Sequence, residues 1–153
     1  EKARRHFEKA LRLNPDDSLA HFQLAAFLAP RDPATAISRY RTGLHLRPDN
    51  RFAANNLAWL LATHPREEIR NPAEALKIAL RLDRESGGTV PNLLDTLAAA
   101  QAATGDFEAA AATTRKALSL PQTAQNQQLA EGLNTRLTHY LEGKPYLETE
   151  SAQ

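Results

Sequence analysis

The chain has no cysteine, which excludes disulfides and thiolate metal sites and leaves its redox compartment open. Methionine is missing as well, at position 1 and everywhere else. Aromatic residues are scarce at 6%, with Trp59 the lone tryptophan, so the core cannot rest on large rings. No apolar run reaches the roughly 18 residues that a membrane span needs, and no signal peptide is visible. Neither sign of charge dominates. Nineteen basic and 18 acidic side chains leave a net charge of +1, too little to gather nucleic acid or anionic lipid from a distance. The basic cluster Lys2, Arg4, Arg5, His6, Lys9 and Arg12 is answered only by Glu1 and Glu8 and reads as a solvated helix face. Runs of β-branched residues with period-two alternation are also missing, which leaves an all-α chain.

What is present is small and periodic. Hydrophobic residues make up 42% of the chain and alanine is the commonest of them, a mix that suits closely approaching helices. Ala3, Phe7, Ala10 and Pro15 recur 33 residues later as Ala36, Tyr40, Gly43 and Pro48. The first three of each set share one helical stripe, and the proline ends the helix because it lacks the N–H that the ladder needs. A second stripe precedes each: His21, Leu24, Ala25, Leu28; Ala54, Leu57, Ala58, Leu61; Leu94, Leu97, Ala98, Gln101. All three fall at i, i+3, i+4, i+7, the spacing of one buried helical face. The repeating unit is therefore helix A, turn, helix B, and a period of this length means stacked hairpins.

This pattern predicts helices over 1–13, 17–29, 33–46, 50–63, 71–86, 90–104, 107–119 and 123–142. Asp32-Pro33 and Asn71-Pro72 each place a capping side chain before a first-turn proline, and Asp16 and Asn50 are expected to cap in the same way. Gly105-Asp106 makes a tight turn before Phe107, and Gly87-Gly88 reads as a hairpin turn without the basic residue of a phosphate loop. Residues 63–70 lengthen one hairpin and are expected to form a surface loop, with Glu67 and Glu68 in a solvated, salt-bridged turn beside Arg66 and Arg70.

On these residues the chain resembles the tetratricopeptide repeat family. Asn55-Asn56-Leu57-Ala58 with Trp59 carries the resemblance, as does Leu94-Asp95-Thr96-Leu97-Ala98 through Gly105-Asp106-Phe107 to Ala110, Ala117 and Leu118. It covers roughly residues 1–120, in a repeated register. The stretch from Asn55 to Gly143-Lys144-Pro145-Tyr146 also resembles the final repeats of large bacterial tetratricopeptide proteins, some of them O-linked GlcNAc transferase-like. The resemblance implies a helical solenoid of about three and a half hairpins with a C-terminal capping helix. Its parts are the second helix of a truncated repeat at 1–15, repeats at 16–48, 49–88 and 89–121, a capping helix at 122–143 and a tail at 144–153. Since the chain also opens in mid-helix, it is expected to continue a longer protein, in a bacterial cytoplasm or periplasm.

Departures from the family pattern are Gln101 in place of an aromatic, Gly87-Gly88 in place of a helix-ending proline, and Thr114 in place of a large residue. The last repeat is accordingly expected to pack more loosely. In the capping helix Leu129, Leu133, Leu137 and Tyr140 are expected inward, with Gln125, Gln128, Asn134 and His139 mostly outward and residues 147–153 frayed.

In this family the A helices line a concave surface, and the resemblance carries that role to Leu19, Phe22, Gln23 and Ala26, then to Phe52, Asn55, Asn56, Trp59 and Thr63, then to Asn92, Asp95, Thr96 and Ala99. Spacing supports it independently, because 52, 55, 56 and 59 run beside the buried stripe 54, 57, 58, 61. An asparagine amide offers two donors and an acceptor, enough to grip a peptide backbone whatever its side chains. Asn56 matches the asparagine ladder of transferase-like repeats, although Gln23 and Thr96 hold the equivalent places and interrupt it. The basic members of a carboxylate clamp are missing. Asn55 and Asn56 either grip a ligand or are solvated and locally capping; Trp59 either anchors a ligand side chain or packs on a neighbouring helix B.

No constellation for chemistry emerges. His6, His21, His45, His64 and His139 lie on different units, and His21 reads as a packing residue. Asp95 lacks a partner acid, and Ser18, Ser38, Ser86 and Ser119 lack the setting of an activated nucleophile. The chain is read as a non-enzyme without cofactor or metal, a scaffold that binds a protein or peptide in its groove. The alternative is a non-catalytic, substrate-presenting or oligomerising segment of a larger bacterial enzyme, such as a glycosyltransferase-like protein. Self-association through Phe7, Leu11 and Leu13 of an exposed N-terminal helix is a further expectation.

Overall fold

The computed structural model describes residues 2–121 and 124–149. Among them the chain forms eight α-helices and a short 3-10 turn, and no strand. The helices are α1 (Lys2–Leu13), α2 (Ser18–Leu28), α3 (Pro33–Leu46), α4 (Arg51–Thr63), α5 (Pro72–Ser86), α6 (Pro91–Ala103), α7 (Phe107–Ser119) and α8 (Ala124–Leu141). Their ends differ from the expected ones by a single residue at most.

Short polar side chains set where these helices start. Asp32, Asn50, Asn71 and Asp106 accept from the backbone N–H three residues on, satisfying a donor that the helix itself cannot. At α2 the cap is Asp17, which accepts from the Ala20 N–H at 3.0 Å, and not Asp16. The Asp16 N–H instead donates to Asn14 Oδ1, so that residue belongs to the turn. Helix α5 ends on Gly87 at φ 65°, a left-handed conformation that suits glycine because a Cβ would crowd the following carbonyl.

The hairpins pair α2 with α3, α4 with α5 and α6 with α7, and α4 also packs on α6. The alanine stripes face inward. Ala25, Ala54, Ala58 and Ala98 are fully enclosed, which lets backbones approach where a larger side chain would hold them apart. Gly43 is the tightest such place, since a Cβ there would collide with the Phe22 ring. Between the alanines stand Leu24, Leu57, Leu61 and Leu94, each buried, each worth about 1.5–3 kcal/mol on transfer from water. His21 is buried with them, and its Nε2–H donates to the Pro15 carbonyl at 2.9 Å.

Residues 63–70 form the expected surface loop, with Arg66, Glu67 and Glu68 exposed; its two ends are anchored, since Thr63 is buried and Ile69, closing the 3-10 turn Glu67–Ile69, packs against the core. Arg70 spends its guanidinium on the carbonyls of His64 and Pro65, while Arg66 pairs with Glu68 at 3.9 Å. The last hairpin does not loosen at its polar substitutes. The Thr113 hydroxyl donates to Gln101 across α6 and α7, and Thr114 is fully enclosed with its hydroxyl on the Ala110 carbonyl.

Helix α8 closes the stack with Leu133 and Tyr140 buried and Leu129 and Leu137 half-buried, while Gln128 and Asn134 face solvent. The side chain of Gln125 lies outside the described residues. At the other end, Phe7 and Leu11 of α1 are half-buried against the core, and Leu13 is exposed.

Candidate functional site

Helix α4 carries two cavities along one face. The first, about 730 Å³, lies toward its C-terminal end, where Asn56, Trp59 and Leu60 meet Ala26 of α2, Tyr40 of α3 and the segment His64, Pro65, Arg66. The second, about 630 Å³, lies between the N-terminal halves of α4 and α6 and is lined by Phe52, Asn55, Asn56, Trp59, Asn92 and Asp95, with Thr96 and Arg136 at its side. Asn56 and Trp59 border both, so they stand at the divide.

Seven residues expected on the concave face therefore line one cavity: Phe52, Asn55, Asn56, Trp59, Asn92, Asp95 and Thr96. Gln23 is exposed and lines neither cavity; Phe22 and Ala99 turn inward and are buried. Phe52 is 86% exposed, an unusual position for a large ring and one that a ligand can cover. Burial raises the pKa of the Tyr40 phenol beside the first cavity, and the neighbouring Asn56 side chain partly opposes that rise. Asn55 lines the cavity wall, but its Oδ1 is turned away from solvent, buried and without a hydrogen-bond partner.

Asp95 has a partner of the opposite sign. Its two carboxylate oxygens accept from Arg136 Nε at 2.7 Å and Nη2 at 2.6 Å, a bidentate pair buried between α6 and α8. Burial pushes the Asp95 carboxyl above its ordinary value, and the Arg136 charge and hydrogen bonds oppose that rise. Burial first, and then the Asp95 charge, drive the neighbouring Tyr140 phenol upward.

The tail completes the site. Residues 144–149 leave α8 without secondary structure and return across α4, in place of the fraying expected for 147–149; residues 150–153, also expected to fray, lie outside the described residues. The Glu148 N–H donates to the Thr63 carbonyl at 2.8 Å, and Glu148 Oε1 accepts from the Trp59 indole N–H at 2.7 Å. The Tyr146 ring lies 6.0 Å from the Trp59 ring and meets His139 edge-on at 5.9 Å. The Arg136 guanidinium, locked by Asp95, lies 5.4 Å from the Trp59 centroid and 5.3 Å from that of Tyr146. Trp59 thus borders both cavities and packs on the core and on the segment that follows α8.

Sequence reasoning missed Arg136, Tyr146 and Glu148. A signal for Arg136 was there: 129, 133, 136 and 140 form one inward stripe, and a charged residue on such a stripe requires a buried counter-charge. The tail carries no comparable periodicity.

Among solved structures the chain is similar to one described as "MamA RS-1 ArsTM double mutant", with 19% identity over 93% of this chain and 81% of that one and a TM-score of 0.68. The fold is a tetratricopeptide-type helical solenoid. No family model and no curated protein matches the chain. Solenoids of this type are typically non-catalytic. Among the described residues no group of His, Asp and Glu side chains could hold a metal ion, and no helix is long and apolar enough to cross a membrane.

Proposed function

We propose that this solenoid is an interaction scaffold that holds an extended segment of a partner protein against the face formed by α4 and α6. One observation carries the reading: that face already accommodates extended polypeptide, with a backbone N–H on the Thr63 carbonyl and side chains on Trp59 and Arg136. The second cavity continues the same face and offers what a further stretch of backbone needs. Asn56 and Asn92 carry exposed amides, and Phe52 presents an uncovered ring. The scaffold is preformed, so the partner segment bears most of the ordering cost, and affinities on the order of micromolar follow.

The test is selection from a random peptide-display library, carried out in parallel on the chain and on a Phe52→Ala/Asn92→Ala variant. Both side chains are exposed, so the variant is expected to melt with the parent. Enriched peptides should lose at least tenfold in affinity for it. Peptides that bind parent and variant equally would place the binding surface elsewhere.

A further inference from the structure

We propose that Tyr146 and Glu148 are an internal competitor for the groove, which accepts partner segments presenting an aromatic side chain followed two residues later by an acidic one. This rests on the groove reading above and adds to it a partner chemistry and a means of control. In an extended chain, residues two apart point to the same side. Tyr146 and Glu148 do so, both onto α4, while Leu147 between them is exposed.

Each side chain meets a matching receptor. The aromatic slot is made of Trp59, His139 and the flat guanidinium of Arg136, whose orientation the Asp95 fork fixes before any ligand arrives. The acidic side chain enters the first cavity, where the indole N–H receives it. Apart from Glu148 itself, the charged side chains lining that cavity are Arg31 and Arg66, with His64 beside them. A carboxylate is therefore the ionic group this space favours, and a basic residue in its place would be repelled.

The tail is joined to α8 by a few residues, so its effective concentration at the groove is on the order of millimolar. A free segment of the same chemistry with an intrinsic Kd near 10 μM would then be held off by about a hundredfold. Only a tighter ligand, or one that also engages Phe52 and the asparagines of the second cavity, displaces the tail. The tail thus sets a threshold for binding.

The experiment uses the full chain and a Tyr146→Ala/Glu148→Ala variant. The probe is a fluorescein-labelled peptide with the sequence Lys-Pro-Tyr-Leu-Glu-Thr, and fluorescence anisotropy reports binding. The variant is expected to bind the probe at least tenfold more tightly than the parent does, and a probe with alanine for both Tyr and Glu is expected not to bind. Tyr146 also packs near Tyr140, so Glu148→Ala alone serves as a second variant that leaves that contact in place. It too should gain affinity, by a smaller factor. Equal binding by parent and variants, or equal binding of the two probes, overturns the proposal. So does a parent that sediments as a dimer and a variant that does not, since the tail would then belong in a second copy's groove. Display peptides that depend on Phe52 and Asn92 yet lack the aromatic and acidic pair would sink this inference and leave the scaffold reading standing.

Discussion

Arg136 of α8 and Asp95 of α6 meet in a two-pronged ion pair, at 2.7 and 2.6 Å, with side-chain exposures of only 11% and 8%. Desolvating two charges is expensive, and their mutual attraction roughly offsets it when geometry is good. What such a pair does well is fix orientation, and here it aims the Arg136 plane at Trp59 and Tyr146.

Removing one member should therefore be far worse than removing both. Asp95→Ala leaves a buried guanidinium without its counter-charge and is expected to cost about 3–5 kcal/mol. Asp95→Ala/Arg136→Met replaces the pair with apolar groups and should recover most of that loss. Urea midpoints of the two variants against the parent measure it; a double variant as unstable as the single one would mean that the pair is a net source of stability.

Gly43 is a helical glycine at which alanine is expected to destabilise. Helix propensity alone favours Gly43→Ala by about 1 kcal/mol. Against that, the added methyl would meet the Phe22 ring between α2 and α3, and overpacking a core typically costs about 1–3 kcal/mol. The steric effect should win. Gly43→Ala is expected to lower the thermal midpoint, and Phe22→Leu in the same chain to restore part of it. A Gly43→Ala protein that melts higher than the parent would show that α2 and α3 have slack at this contact.

His64, in the wall of the first cavity, links stability to pH. Burial above all, and then the neighbouring Arg66 charge, hold its imidazole below the ordinary histidine value. The unfolded chain then takes up the proton first. The stability His64 contributes is complete above the unfolded value, about 6.5, and is lost as pH falls through the lower folded value. Between about pH 7.5 and 5.5 the urea midpoint of the parent should drop further than that of His64→Gln. Parallel curves would remove His64 from the account.

How far the sequence reached can be argued from single residues. Ala25, Ala58 and Ala98 were legible as core because local periodicity puts them on the same stripe as leucine. Asn50 and Asn71 were legible as caps because capping is local chemistry, and Asp17 was missed for Asp16 because two adjacent carboxylates compete and only the path of the turn chooses between them. On α4, Phe52 could be assigned to a face by spacing and Asn92 of α6 by the family resemblance, whereas the inward turn of Phe22 depends on Gly43 approaching it from another helix.

By itself, then, the sequence determined the helices, their hairpin order and the alanine-lined faces, because each of these follows from interactions within a few residues of chain. Only the tertiary structure decided that Asp95 is answered by Arg136, 41 residues away, and that Glu148 returns to Trp59 across 89. Those contacts join elements with no shared periodicity. They exist only where the stacking of hairpins brings α8 and the chain that follows it back onto the face of α4.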